Sequence, residues 1–65
     1  MFFVVHRHDD SKYPFAVYEA VTADQAVCRA SACENPDMAR ARIAFGPTGS
    51  RIEADRRCDE LNDYD

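Results

Sequence analysis

One strong helix signal, placed between strand-like segments, most constrains the folds available to this chain. Thr22–Gln25 reads Thr-Ala-Asp-Gln, a capping box in which the Thr22 hydroxyl accepts a hydrogen bond from the Gln25 amide. Apolar residues then recur at helical spacing, and Pro36 disfavours helical backbone at Asn35. We therefore predict one main helix that begins at Thr22 and ends before Pro36.

Two strand-like segments precede this helix. Phe2 to His8 is rich in β-branched and aromatic residues. Phe15 to Ala20 alternates, with Phe15 and Val17 on one face and Tyr18 on the other. A turn cluster at residues 9–12 separates the two segments, so we predict an antiparallel hairpin with a longer loop.

A third strand is predicted after the helix. Ala39 to Phe45 alternates cleanly, with Ala39, Ala41, Ile43 and Phe45 directed to one face. Gly46–Gly49, with the sequence Gly-Pro-Thr-Gly, is typical of a tight turn. The pattern thus predicts a half-buried strand that ends at this turn.

Two interpretations compete for the segment that follows. Ile52 and Ala54 could lie on a short return strand. Alternatively, Ser50–Glu53 is a second capping box, followed by a helical apolar stripe of Ala54, Cys58 and Leu61. We favour a short strand or turn, with a helical turn from about Asp55 to Leu61.

These elements predict an α+β fold in which the whole chain, residues 1–65, is one small domain. A chain of 65 residues can bury only about 60% of its surface, which disfavours a doubly wound nucleotide fold or a two-domain active site. We expect two layers, an antiparallel sheet of three to four strands and one main helix, in the order ββαβ plus a short C-terminal strand or helical turn.

The balance of charge is acidic. Twelve acidic residues against eight basic ones give a net charge of −4, which disfavours direct binding to nucleic acid. Residues 59–65 contain no base and form a predicted acidic tail. The candidate partner-binding residues are the carboxylates of the last third of the chain: Glu53, Asp55, Asp59, Glu60, Asp63 and Asp65. The arginines Arg40, Arg42 and Arg51 could bind phosphate or pair with Glu53 and Asp55 across a sheet, and we favour the pairing.

No targeting signal or membrane segment is visible in the sequence. The first apolar run, Met1 to Val5, is far shorter than the roughly 20 residues that cross a membrane. Three cysteines, an odd number, fit no disulfide framework. We therefore expect a cytoplasmic protein with reduced thiols and no membrane partner.

The residues with catalytic or metal-binding chemistry form no recognisable motif. His6 and His8 lie two apart on a strand and could join a cysteine in a zinc site or a thiolate pair. Cys28 and Cys33 would diverge by about 140° on a regular helix. We therefore predict no catalytic residue, no metal site and no cofactor.

The chain resembles a class of small acidic phage proteins. Its length, its acidity, the lack of targeting signals and the ββα pattern with Thr22–Gln25 opening the helix are similar to anti-CRISPR proteins that block type I effector complexes. These proteins share no common motif, so no residue role is carried over. The resemblance implies a non-enzymatic inhibitor that binds a host effector complex, in some cases as a mimic of DNA, and the charge of the chain permits this.

The sequence therefore leaves two main hypotheses for the function of the protein. The first is an inhibitor of a basic nucleic-acid-binding complex, with the host CRISPR effector as partner, acting as a monomer in the host cytoplasm. The alternative is a small regulatory or structural interaction module, including a homodimer formed through an exposed first strand, Phe2 to Val5.

Overall fold

The computed structural model describes residues 1–63, which form three β-strands, two α-helices and one turn of 3₁₀ helix. The order is β1 (Phe2–His6), β2 (Phe15–Glu19), α1 (Ala23–Ser31), the 3₁₀ turn (Pro36–Met38), β3 (Arg42–Thr48) and α2 (Arg51–Asp63). The strands form an antiparallel sheet in the order β2-β1-β3. The predicted α+β class, antiparallel hairpin and ββαβ order are confirmed.

Strand β1 is the centre of the sheet. It is paired with β2 along one edge and with β3 along the other. Phe3, Val4 and Val5 are buried, and alternation sends Phe3 and Val5 to one face and Val4 to the opposite face. The alternative in which this strand is an unpaired, exposed edge is therefore wrong.

Helix α1 begins at the predicted cap. The Gln25 amide donates to Thr22 Oγ1 at 3.1 Å, while Gln25 Oε1 accepts from the Val21 amide at 2.7 Å. Ala26 and Val27 pack on Phe3 and Val5. The helix ends at Ser31, earlier than Pro36 requires, because Ala32 adopts left-handed backbone with φ of 55°.

The predicted two-layer arrangement is wrong, because helix α2 forms a third layer. Its Ala54 and Cys58 pack with Val4 on the face opposite α1, so the sheet lies between two helices and the domain has three layers. The chain has a second helix of 13 residues, longer than α1, rather than a short strand or helical turn. The alternative in which Ser50 caps a helix is confirmed: the Glu53 amide donates to Ser50 Oγ at 3.2 Å, while the Ser50 amide donates to Thr48 Oγ1 rather than to Glu53.

A bulge in β3 places Ile43 and Phe45 on opposite faces of the sheet, contrary to the prediction. Val4 pairs with Phe45, and the next residue of β1, Val5, pairs with Ile43, which leaves Ala44 as an extra residue. Ile43 consequently packs on the α1 side and Phe45 on the α2 side. Simple alternation had placed both on one face.

Gly46 is part of strand β3 rather than of the predicted tight turn. Its φ is +116°, and a Cβ at this position would lie 2.8 Å from the Phe2 carbonyl oxygen. The strand continues to Thr48, and Ser50 then caps α2 at once. Only glycine permits this close approach of β3 to the centre of the sheet.

Neither helix within residues 1–63 is long and apolar enough to cross a membrane.

Candidate functional site

Helix α2 presents most of the predicted acidic residues to solvent. Ala54 and Cys58 are buried, and Leu61 packs beside them against the sheet, which fixes the rotation of the helix. All acidic residues of α2 are exposed: Glu53, Asp55, Asp59, Glu60 and Asp63. Residues 59–63 of the predicted acidic tail therefore belong to a packed helix, and Asp65 lies outside the described residues.

Three of these carboxylates form a stripe along one side of the helix, here called the aspartate stripe. Asp55, Asp59 and Asp63 follow one another at four-residue intervals. Each interval rises about 6 Å along the helix axis with a small rotation. Alternate phosphates of one DNA strand are separated by about 6.8 Å along the duplex axis. The aspartate stripe thus has a charge spacing near that of every second phosphate of one DNA strand.

The two glutamates lie on the other flank of α2, and each has a local partner. Glu53 Oε2 accepts from the Thr48 hydroxyl at 3.3 Å, next to the helix cap. Glu60 Oε2 lies 3.5 Å from Arg57 Nη1. Glu53 and Glu60 therefore lie apart from the aspartate stripe, and each makes a polar contact within α2 or next to its first turn.

Ion pairs divide the aspartate stripe. Arg51 Nε lies 3.8 Å from Asp55 Oδ2, at i,i+4 spacing within α2. Within residues 1–63, Asp59 and Asp63 make no ion pair. Of the two carboxylates predicted to pair with arginines, Asp55 does so along the helix and Glu53, within residues 1–63, does not. The end of the stripe has no ion-pair partner in the described residues.

The end of α2 is an unfavourable place for negative charge. The partial negative charge of a helix C-terminus repels carboxylates, at a cost of about 0.3–1 kcal/mol for each in the last turn. The last turn of α2 contains no basic residue. Burial raises the pKa of the Cys58 thiol, and the carboxylates of Asp59 and Asp55 raise it further.

The polar contact next to the stripe was not predicted from the sequence. Asn62 Oδ1 accepts from the Phe15 amide at 3.1 Å, and Asn62 Nδ2 donates to the Phe15 carbonyl at 3.1 Å. The Cys58 thiol donates to the same carbonyl at 3.3 Å. Phe15 lies on edge strand β2, so the Asn62 carboxamide takes the place of a neighbouring strand at that position. An isolated Asn late in a helix gives no sequence signal for this role.

The histidines make local contacts. His6 Nδ1 accepts from the His8 amide at 3.0 Å, and the His6 ring packs edge-on against Phe15 at 4.7 Å. In the described part of the chain, no group of three or more His, Cys, Asp or Glu side chains is placed to hold a metal ion. His8 also borders an open surface concavity of about 310 Å³, together with Arg7 and Arg40.

Arg7 in that concavity has a structural role. Its guanidinium donates to the Tyr13 carbonyl at 2.7 Å and to Ser11 Oγ at 3.1 Å, which ties the β1–β2 loop together. Asp9 Oδ2 lies 3.6 Å from Arg7 Nε. Hydrogen bonding to Ser11, with the Arg7 charge beside it, lowers the pKa of Asp9. The cation is therefore already compensated within the loop.

Comparison with known proteins does not change this description. The sequence matches no family model, and neither the curated proteins nor the solved structures gave a match.

Proposed function

We propose that this protein is a non-enzymatic inhibitor that binds a basic nucleic-acid-binding complex, a type I CRISPR effector of the host, through the aspartate stripe of α2. The stripe occupies part of the groove that would otherwise bind DNA, so the protein acts as a mimic of DNA. One observation carries the proposal: Asp59 and Asp63 are exposed and without an ion pair in the described chain, and Asp63 lies in the last turn of the helix, where negative charge is least stable.

Electrostatics supports this choice of partner. Two uncompensated carboxylates on a rigid helix are attractive to a basic groove and require no rearrangement to bind there. Association would be fast and would weaken as salt screens the charges. Asp55, at the start of the stripe, would join the contact by exchanging Arg51 for a cation of the partner.

Charge reversal of the stripe tests the proposal. We compare the wild-type protein with the double variant Asp59→Lys/Asp63→Lys in a titration that measures how much target DNA a purified type I effector complex binds. We expect the variant to lose inhibition by at least tenfold in the concentration required. Its melting temperature should be unchanged or higher, because lysine suits a helix C-terminus.

A matched control separates the stripe from net charge. Asp10→Lys/Glu34→Lys changes the net charge by the same amount at two exposed loop positions away from α2. This control should inhibit as the wild type does. If the stripe variant inhibits as well as the control, the proposal is wrong. Binding that is insensitive to salt and to competing DNA would also contradict it, and would point to an apolar contact around Ile52, which is 74% exposed.

A further inference from the structure

The cysteines Cys28 and Cys33 lie at the end of α1, where the chain reverses direction. The Cys33 amide donates to the Cys28 carbonyl at 3.1 Å, and the Ala32 amide donates to the Arg29 carbonyl at 3.4 Å. Ala32 between them has left-handed backbone. These two bonds, one spanning five residues and one spanning three, define a Schellman motif.

This motif brings together two side chains that a continuous helix would separate. On a regular helix Cys28 and Cys33 would point about 140° apart. In a Schellman motif they occupy the two positions whose side chains make contact across the turn. Burial raises the pKa of the Cys28 thiol, and the neighbouring Cys33 thiol raises it further. The expectation that the two cysteines diverge is therefore wrong, because the helix ends between them.

The surroundings of this pair differ from those of the third cysteine. Cys28 and Cys33 are both partly exposed, whereas Cys58 is buried between α2 and the opposite face of the sheet. A small reagent in solution thus has access to Cys28 and Cys33. Cys58 is separated from them by the sheet itself.

We propose that Cys28 and Cys33 form an oxidisable dithiol, which closes to an intramolecular disulfide when the protein meets a low-molecular-weight disulfide. One cysteine thiolate attacks a sulfur of that disulfide, giving a mixed disulfide and releasing one thiolate. The second cysteine thiolate then attacks the protein sulfur of the mixed disulfide and releases the other thiolate. Two thiols of the protein are oxidised, and the low-molecular-weight disulfide is reduced to two thiols.

The closed ring would fix the end of α1. The turn at Ala32 is held by two backbone hydrogen bonds in a conformation that alanine rarely adopts. A disulfide across it would lock the turn and with it the start of the segment that leads to β3. The pair is therefore a modification site on the face of the domain opposite α2.

The experiment uses glutathione disulfide and the folded protein of residues 1–65. Free thiols are titrated before and after incubation, and we expect their number to fall from the three of the sequence to one. Trypsin then separates the cysteines, because Arg29 lies between Cys28 and Cys33 and Arg57 precedes Cys58. Mass spectrometry without reduction should show peptides 13–29 and 30–40 joined by a disulfide, with the peptide containing Cys58 unmodified.

Two variants make the outcome decisive. Cys58→Ala should form the same linked peptides. Cys33→Ser should instead accumulate a glutathione adduct on Cys28, since no second thiol is present to displace it. Linkage of Cys58 to either partner, or a wild-type protein that carries stable glutathione adducts on both Cys28 and Cys33 without a linked peptide, would overturn the proposal.

Discussion

The contact between Asn62 and the edge of the sheet gives the sharpest stability prediction. The carboxamide makes two hydrogen bonds to the backbone of Phe15, both at 3.1 Å and partly buried. A net contribution of about 0.5–1.5 kcal/mol for each bond gives about 1–3 kcal/mol for the pair. We therefore expect Asn62→Ala to lower the free energy of unfolding by about 2 kcal/mol, which corresponds to roughly 8–16 °C in melting temperature for a domain of this size.

The two bonds can be separated by a second substitution. Asn62→Asp retains an oxygen that accepts from the Phe15 amide, but its carboxylate cannot donate to the Phe15 carbonyl. Chemical denaturation followed by circular dichroism measures all variants, and amide hydrogen exchange reports Phe15 itself. We expect the Phe15 amide to exchange faster in Asn62→Ala than in Asn62→Asp, relative to the global stability of each.

The neighbouring residue supplies the control. Asp63→Ala removes a similar side chain one position further along α2, where the side chain is exposed. This variant should be at least as stable as the wild type, because a carboxylate at the helix end is removed and alanine favours helix. The reasoning would be refuted if Asn62→Ala were as stable as this control, since the carboxamide would then contribute nothing at the edge.

Three further predictions concern the backbone and the β1–β2 loop. Gly46→Ala should destabilise the fold by about 1–3 kcal/mol, because of its positive φ and the 2.8 Å approach to the Phe2 carbonyl, whereas Gly49→Ala, with open space around it, should be close to neutral by urea denaturation. Ala32→Gly should raise the unfolding free energy by about 1 kcal/mol in the same assay, because glycine adopts φ of 55° without strain. The folded pKa of Asp9 lies below its usual 3.8, so the ionised carboxylate stabilises the fold above pH 3.8. This stabilisation is lost as the pH falls through the lower folded pKa. Asp9→Asn should therefore weaken the decrease in melting temperature at acid pH, and an unchanged decrease would contradict the prediction.

Local signals were sufficient for the start of helix α1 and for the two faces of strand β2. The capping residues at Thr22 and the alternation of Phe15 and Val17 depend on neighbours in sequence, and the structure confirms both. The strand β3 was predicted at Ala39–Phe45 and lies three residues later, at Arg42–Thr48. The bulge at Ala44 was not predicted, because a bulge depends on which residue of β1 lies opposite. Alternation within one strand contains no information about that register.

The second helix could have been predicted in full from local signals in the sequence. The Ser50 capping box and the stripe of Ala54, Cys58 and Leu61 were both visible. Gly46 and Pro47 suggested a turn, and a turn favours a return strand. In the structure the glycine serves a close approach to Phe2 instead, so the chain continues straight into the helix cap. The acidic residues predicted to lie in a tail therefore lie, up to Asp63, on the surface of an ordered helix.

The central position of β1 has a consequence for how the chain folds during synthesis. Within this domain β1 is synthesised before the other two strands, both of which pair with it, and its second partner ends only at Thr48. A nascent chain that has released α1 holds a two-stranded hairpin with one apolar face still open, which is marginal in water. The sheet gains its third strand and second helix only when nearly all of residues 1–63 have been synthesised. Folding of this domain is therefore expected to be all-or-none, with no contiguous half that is stable alone.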